Sequence, residues 1–254
     1  MSDKAELLDL ALRVGKKAAE LLSARPDVLE VSTKSSDVDI VTQMDKASEA
    51  LIVSSILAER PNDGMIGEEG AERESTSGIT WVIDPLDGTV NYFYGMPGWN
   101  VSIAAKDKDG VLAGVVVSPT INSTWWATRG GGALHNGKKL TCNDPVELNR
   151  TMLATGFAYE PEKRSLQLDF INKLLPHIRD IRRNGAAAVD LCFVGSGNVD
   201  AYFESGLHEW DIAAGGLIAQ EAGAIMSQHQ IGGQNFVLTA GPHLHQILKN
   251  TLGL

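Results

Sequence analysis

Cysteine is nearly absent: Cys142 and Cys192 are the two in 254 residues, far apart and with no CxxC or Cys/His spacing. This excludes a disulfide framework and a thiolate-held metal, and reads as reduced thiols in a cytoplasmic protein. Basic residues are outnumbered, 22 Lys and Arg against 32 Asp and Glu, for a formal net charge of −10. Non-specific nucleic-acid binding rests on Lys and Arg neutralising phosphates, so no direct nucleic-acid partner is expected. No apolar run approaches the ~20 residues of a membrane span. The charged start, Met1-Ser2-Asp3-Lys4-Ala5-Glu6, leads into an amphipathic pattern and does not read as a signal peptide, so no membrane partner is expected. Internal repeats and low-complexity tracts are missing. Gly195-Ser196-Gly197 lacks the strand-then-helix setting and third glycine of a dinucleotide fingerprint, and reads as a helix end. Gly130-Gly131-Gly132 lacks the Lys-Ser/Thr of a phosphate loop, and reads as a hairpin turn.

What is present is ordinary globular composition, 43% hydrophobic and 21% charged, in a chain long enough for one large core or two joined lobes. Leu7, Leu8, Leu10, Ala11, Val14, Ala18, Ala19, Leu21 and Leu22 recur at helical spacing, with Pro26 as the stop. A second helix is expected over 44–59, with Ala47, Leu51, Ile52, Ser55 and Ile56 as its buried stripe. Residues 29–34 read as a short strand or extended loop, Met65-Ile66 as a short strand and 71–78 as an exposed loop. Strands are expected at 81–83, 101–105, 111–117 and 124–128, and Asn136-Gly137 reads as a type I′ hairpin turn. The polar stretch 143–150 is the candidate boundary between lobes 1–143 and 144–254. Beyond it, strands are expected at 152–155, 178–182, 201–204 and 236–240, and helices at 164–175, 186–195, 211–222 and 244–252. Helices and strands alternate, giving an α/β layered protein.

The run Trp81-Val82-Ile83-Asp84-Pro85-Leu86-Asp87-Gly88-Thr89 carries the chemistry. A buried strand is followed by two carboxylates, and Pro85 and Gly88 break it. Charge at that position is costly unless a cation lies between the acids. Gly88 and Thr89 open a short helical segment whose free N–H groups favour an anion. Two further acidic groups, Glu68 with Glu69 and Asp211 after Trp210, stand at the ends of apolar elements and can converge on the same place. Two unit negative charges about 4 Å apart repel by about 4 kcal/mol at an effective dielectric of 20. Several in one pocket therefore call for cations, and all-oxygen ligation favours Mg²⁺ with waters and a substrate phosphate. Cations close together clamp the attacking and leaving oxygens of an in-line displacement. Taken alone, each acid also reads as a solvated carboxylate, and Asp211 as a helix cap.

Gly67-Glu68-Glu69, the 81–89 run and Trp210-Asp211-Ile212-Ala213-Ala214-Gly215 resemble the inositol monophosphatase family in content, order and separation. Glu221-Ala222-Gly223 and the upstream stretch 34–42 with Asp45 extend the resemblance over almost the whole chain. It implies a five-layer αβαβα sugar-phosphatase fold and hydrolysis of myo-inositol 1-phosphate or a related small polyol phosphate, with two or three Mg²⁺ ions per site. By the same resemblance, Glu68, Asp84 and the Leu86 carbonyl hold the first ion. Asp84, Asp87 and Asp211 hold the second, and Glu68 orients a third through waters. Thr89, hydrogen-bonded to Asp45, positions the nucleophilic water, which gives Glu68, Thr89 and Asp45 the catalytic roles. The N–H groups of Gly88 and Thr89 take phosphate oxygens, and Lys34 lies on a segment that closes over the metals.

On the alcohol side, Glu204 in Ala201-Tyr202-Phe203-Glu204 matches the glutamate that contacts ring hydroxyls, and the backbone at 185–187, Ala187 included, lines the ring pocket. Many members carry Ser or Thr where Ala186 stands, a departure that removes a hydroxyl. His208 reads first as a structural hydrogen-bonding residue and second as a candidate substrate contact. Family members are commonly homodimeric and lithium-sensitive. Alternatives on the same scaffold are phosphatases of histidinol phosphate, fructose 1,6-bisphosphate or nucleotide 3′-phosphates. A non-enzymatic alternative is regulation in association with RNA polymerase, as some bacterial members do.

Overall fold

Alternate residues of single strands face two different apolar layers, and that alternation organises the molecule. The structure, a computed structural model, describes residues 4–34 and 36–254; Met1, Ser2, Asp3 and Ser35, which fall in two of the motifs above, lie outside the described residues. The described helices are α1 Lys4–Ser23, α2 Gln43–Glu59, α3 Thr89–Tyr94, α4 Pro161–Leu174, α5 Ala187–Gly195, α6 Glu209–Glu221 and α7 Pro242–Leu252. The strands are β1 Val31–Thr33, β2 Ile40–Thr42, β3 Gly64–Gly67, β4 Glu72–Arg73, β5 Thr80–Asp87, β6 Asn100–Asp107, β7 Gly110–Ser118, β8 Ser123–Thr128, β9 Gly132–His135 and β10 Lys138–Lys139. They continue with β11 Met152–Thr155, β12 Asp180–Arg182, β13 Ala201–Ser205, β14 Ile225–Ile231 and β15 Gln234–Ala240. An eight-stranded sheet runs β10-β9-β8-β7-β6-β5-β3-β4, a five-stranded sheet runs β12-β11-β13-β15-β14, and β1 and β2 pair separately.

Trp81, Ile83, Ile103 and Val115 of the large sheet pack with Leu7, Val14, Ile52 and Ile56 of α1 and α2. Val82, Ala104 and Val116, one residue out of phase, pack with Ala188 and Cys192 of α5 and with Ala214 and Ile218 of α6. The other sides of those helices, Leu191, Val194 and Ala219, meet Ala154, Tyr202 and Val237 of the small sheet. Its outer face, Leu153, Phe203, Phe236 and Leu238, is covered by Phe170 of α4 and Leu244 and Leu248 of α7. Helix pair, sheet, helix pair, sheet, helix pair: the fold is the expected αβαβα sandwich.

The middle pair is apolar nearly all round because both sides are covered by sheets. Close approach there needs small residues. A Cβ on Gly215 of α6 would come within 2.8 Å of the Ala188 carbonyl oxygen and 2.9 Å of Leu191 Cβ on α5.

Several local expectations need correction. β5 does not stop at Ile83 but runs to Asp87, because a register shift between Asp84 and Asp87 carries Pro85 and Leu86 out of the ladder, where a missing N–H does no harm. Ile52 and Ile56 are on the buried face of α2 as expected, but they share it with Met44, Asp45, Ser48 and Glu49, while Ala47 is exposed and Leu51 and Ser55 are half-buried. Part of the 71–78 loop pairs with β3 as the edge strand β4. Beyond those expectations, the polar segment Ile225–Ile231 forms β14, paired along its length with β15, because an edge strand needs no apolar alternation. Trp125 is in the core, and its neighbour Trp126 is half-buried against the α1 and α2 side.

The Gly215→Leu variant is expected to lose about 1–3 kcal/mol of stability, lowering Tm by about 2–12 °C, despite the better helix propensity of leucine. A thermal melt at or above that of the parent protein would contradict the close α5–α6 packing.

Candidate active site

One cavity of about 570 Å³ opens where β3, β5 and β13 end and where α3, α5 and α6 begin, and every predicted site residue except Asp45 lines it. Asp45, fully buried on α2, stands directly behind Thr89. The bulge in β5 aims Asp84 and Asp87 into one space, and Ser48 on α2 pins it by donating to the Pro85 carbonyl at 2.8 Å. Gly88 then turns the chain with φ +86, a conformation that costs other residues more, and caps α3.

Each carboxylate is held differently. Asp84 Oδ1 accepts the Leu86 N–H at 3.1 Å. Burial, and then the charges of Glu68, Asp87 and Asp211, push its pKa well above the usual carboxylate range. Asp87 Oδ2 accepts from Asn100 Nδ2 and the Ala188 N–H, both at 2.8 Å, and Oδ1 accepts from the Ala187 N–H at 3.2 Å. Burial raises it to about 6, opposed by those hydrogen bonds. The Ala186 cap of α5 has no side-chain oxygen to offer, so Asp87, from another strand, caps the helix in its place. Asp211, in the first turn of α6, accepts the His208 N–H at 2.6 Å; burial raises it, followed by the charges of Asp87, Glu68 and Glu204.

Glu68 lies just past β3, and Lys34 bridges it at 2.9 Å to Glu69. Burial disfavours the charged Lys34 ammonium, but the two glutamates outweigh it and raise its pKa overall. Thr89 Oγ1 stands 2.8 Å from Asp45 Oδ1 and 3.1 Å from the Leu86 carbonyl oxygen. Asp45 Oδ2 meanwhile accepts the Thr42 hydroxyl at 2.6 Å and its N–H at 2.8 Å. With its single proton given to Asp45, the Thr89 oxygen keeps lone pairs for a water.

On the opposite wall, Tyr202 O–H donates to Glu204 Oε2 at 2.7 Å, and burial pushes Glu204 up to about 7 against the pull of Tyr202 and the Arg183 charge. A Cβ on Gly156 would lie 2.1 Å from Glu204 Oε1, so that glycine leaves the carboxylate its space. His208 is exposed, with its ring stacked on Trp210 at 4.7 Å.

Asn100, Ser48, Glu49 and Arg183 lie outside the motifs, and Tyr202 stands in one only as a neighbour of Glu204. For Glu49 there was a signal: Asp45, Glu49, Ile52 and Ile56 recur at i, i+4, i+7 and i+11, which places two acids on the buried face of one helix. Nothing in the spacing marks Asn100.

The donor set suits a hard divalent cation. It is oxygen only, and it concentrates buried negative charge that Lys34 meets only at Glu68 and Glu69. Among the described residues no three acidic, histidine or cysteine side chains stand together closely enough to hold a metal ion by themselves. Magnesium does not require such a group, because it is usually held by one or two carboxylates with several waters.

A carboxyl with a raised folded-state pKa stabilises the fold below its unfolded pKa of about 4, and that stability is lost as pH rises through the folded value. In chelator, Asp84→Asn is therefore expected to match the parent protein near pH 4 and to exceed it increasingly through pH 6 and above. Added Mg²⁺ should raise the parent Tm far more at pH 7.5 than at pH 4.5. Parallel Tm curves for the two proteins across that range would contradict the repulsion described here.

The inositol monophosphatase family model matches residues 3–250. The Nus factor SuhB of Escherichia coli K12 is 42% identical over 238 residues, covering 92% of this chain and 88% of that protein. The crystal structure of the extragenic suppressor protein SuhB from Bartonella henselae superposes with a TM-score of 0.90 at 29% identity, covering 97% of this chain and 98% of that one. The Thermotoga maritima IMPase superposes with a TM-score of 0.88 at 29% identity, covering 98% and 97%. With the family model matching nearly the whole chain, a relative 42% identical over most of both chains, and the fold shared with the solved structures, this chain belongs to the inositol monophosphatase family.

Proposed function

We propose that the protein is a Mg²⁺-dependent phosphomonoesterase acting on myo-inositol 1-phosphate or a related small polyol phosphate. The observation that carries this is the meeting of Glu68, Asp84, Asp87 and Asp211 with Thr89 in one cavity whose far wall holds Glu204. In this reading Glu68, Asp84 and the Leu86 carbonyl hold one ion, Asp84, Asp87 and Asp211 another, and Glu68 orients a third through waters. Bound Mg²⁺ supplies Lewis-acid polarisation of the phosphoryl group and charge neutralisation at the attacking and leaving oxygens.

The chain's own residues do the rest. Thr89 donates to Asp45 and accepts a hydrogen bond from the attacking water, which orients a lone pair toward phosphorus. The N–H groups of Gly88 and Thr89 sit at the start of α3, where helical N–H groups have no intrahelical partner, and take phosphate oxygens. Lys34 adds positive charge at the mouth. Glu204 accepts hydrogen bonds from the polyol hydroxyls, Ala187 backs the ring, and His208 closes the pocket at its rim. Lobes 1–143 and 144–254 form one catalytic unit. A homodimeric, cytoplasmic and lithium-sensitive enzyme goes with this proposal.

Arg183 favours a second substrate class. It lines the cavity close enough for its charge to act on Glu204, so the second phosphate of fructose 1,6-bisphosphate would find a partner there. A second role, as a regulator working with the transcription apparatus, is proposed from the 42% identity to the E. coli Nus factor. The net charge of −10 directs that role toward a protein partner rather than bare nucleic acid.

Phosphate release from inositol 1-phosphate, fructose 1,6-bisphosphate, histidinol phosphate and a nucleotide 3′-phosphate should be highest with inositol 1-phosphate and vanish in chelator. Turnover that survives full chelation would overturn the metal reading, and a preference for histidinol phosphate would overturn the substrate. Asp87→Asn is expected to lose at least about 100-fold in kcat while keeping its circular dichroism spectrum. A rate near that of the parent protein would remove Asp87 from the ligand set. The same variant should still capture RNA polymerase if the regulatory role is independent of hydrolysis, and failure of both proteins to capture it would remove that role.

A further inference from the structure

Glu49 has no part in the roles proposed above, yet it is a mostly buried carboxylate aimed at the backbone of the Glu68 turn. Its Oε2 accepts the Glu69 N–H at 2.9 Å and its Oε1 the Ala71 N–H at 3.0 Å. The turn is also closed on itself by the Gly67 N–H donating to the Ala71 carbonyl at 2.7 Å, and tied to β5 by the Glu68 N–H donating to Ile83 at 3.2 Å. Space for the carboxylate exists because residue 67 is glycine: a Cβ there would lie 2.2 Å from Glu49 Oε2. Glu49 thus fills the concave side of the turn and bridges N–H groups on both sides of Gly70. With Glu69 and Ala71 held, the backbone has little freedom to swing the Glu68 side chain away from Asp84.

Asp45 and Glu49 are one turn apart on the same face of α2. Asp45 holds Thr89 by a side-chain hydrogen bond, and Glu49 holds the Glu68 turn by backbone hydrogen bonds. One rigid helix therefore sets the distance between the residue proposed to orient the water and the carboxylate proposed to hold the cation. We propose that Glu49 is a positioning residue for Glu68, setting the affinity of the site for Mg²⁺. This rests on the function proposed above.

The discriminating measurement is Mg²⁺ binding by calorimetry, alongside the Mg²⁺ concentration giving half-maximal phosphate release. Glu49→Gln keeps the size of the side chain but turns an amide NH₂ toward one of the two N–H donors. It is expected to weaken Mg²⁺ binding by about 10–100-fold, the range for losing a residue that orients a ligand. The Mg²⁺ requirement should rise by the same factor, with substrate KM at saturating Mg²⁺ unchanged. A folded Glu49→Gln protein of lowered Tm that binds Mg²⁺ like the parent would reduce Glu49 to a structural role and overturn the proposal.

Gly67→Ala gives an independent arm, since it keeps Glu49 and displaces its carboxylate from above. The same loss of Mg²⁺ affinity is expected, and parental affinity in that folded variant would likewise overturn the proposal. Absence of Mg²⁺ binding by the parent protein would instead overturn the metal reading, and this inference with it. Binding by the parent with equal binding by both variants sinks the positioning role alone.

Discussion

The structure is arranged around the burial of like charge. Asp84 and Asp87 are almost fully removed from solvent, and Glu68 and Asp211 face them. Carboxylates so placed oppose folding, since desolvation and mutual repulsion both favour the neutral acids. The chain counters this with oriented donors: backbone N–H groups of Leu86, Ala187, Ala188 and His208, and the Asn100 amide. The balance left over is the capacity to take up positive charge.

Those donors come from both sheets' surroundings, which explains the five layers. Asp87 ends a strand of the large sheet, yet it accepts from the first turn of α5, a helix whose far side rests on the small sheet. Asp211 sits in the first turn of α6, whose Gly215 lets α5 approach closely. Packing in the middle layer and alignment of the acids are therefore one problem. A helix that shifted to relieve a clash would also withdraw N–H groups from Asp87.

Much of this was legible in the chain. Strands with strong apolar content, such as Val101 to Ala105, and helices with a clear period, such as α1, are placed by local pattern. The acids at 68, 84 and 87 were legible because charge immediately after apolar strands is unusual, whereas Asp211, an ordinary helix-start acid by position, stood out only through the Trp210–Gly215 motif. Legibility failed where long-range pairing decides. β14 is polar and becomes a strand because β15 offers it an edge. β5 continues through Pro85 because its neighbour tolerates a bulge. Asn100 carries no signal because its meaning depends on a carboxylate 13 residues away. Glu49 was readable from helical spacing but hidden behind an assumed apolar stripe. The identity of the alcohol is the hardest to read, since a pocket wall of Glu204, Arg183 and His208 comes from separate segments.

The cavity has two walls of different construction. The acid-bearing wall is tied into the interlocked middle layers. The wall bearing Glu204 is made by a β13 side chain and by the 156–163 segment leading into α4, on the outer side of the small sheet. Substitutions on the second wall leave the hydrogen bonds of Asp84, Asp87 and Asp211 untouched. Such a division separates the two demands on the cavity: side chains on the Glu204 wall can be exchanged without repacking the layers that hold the acids.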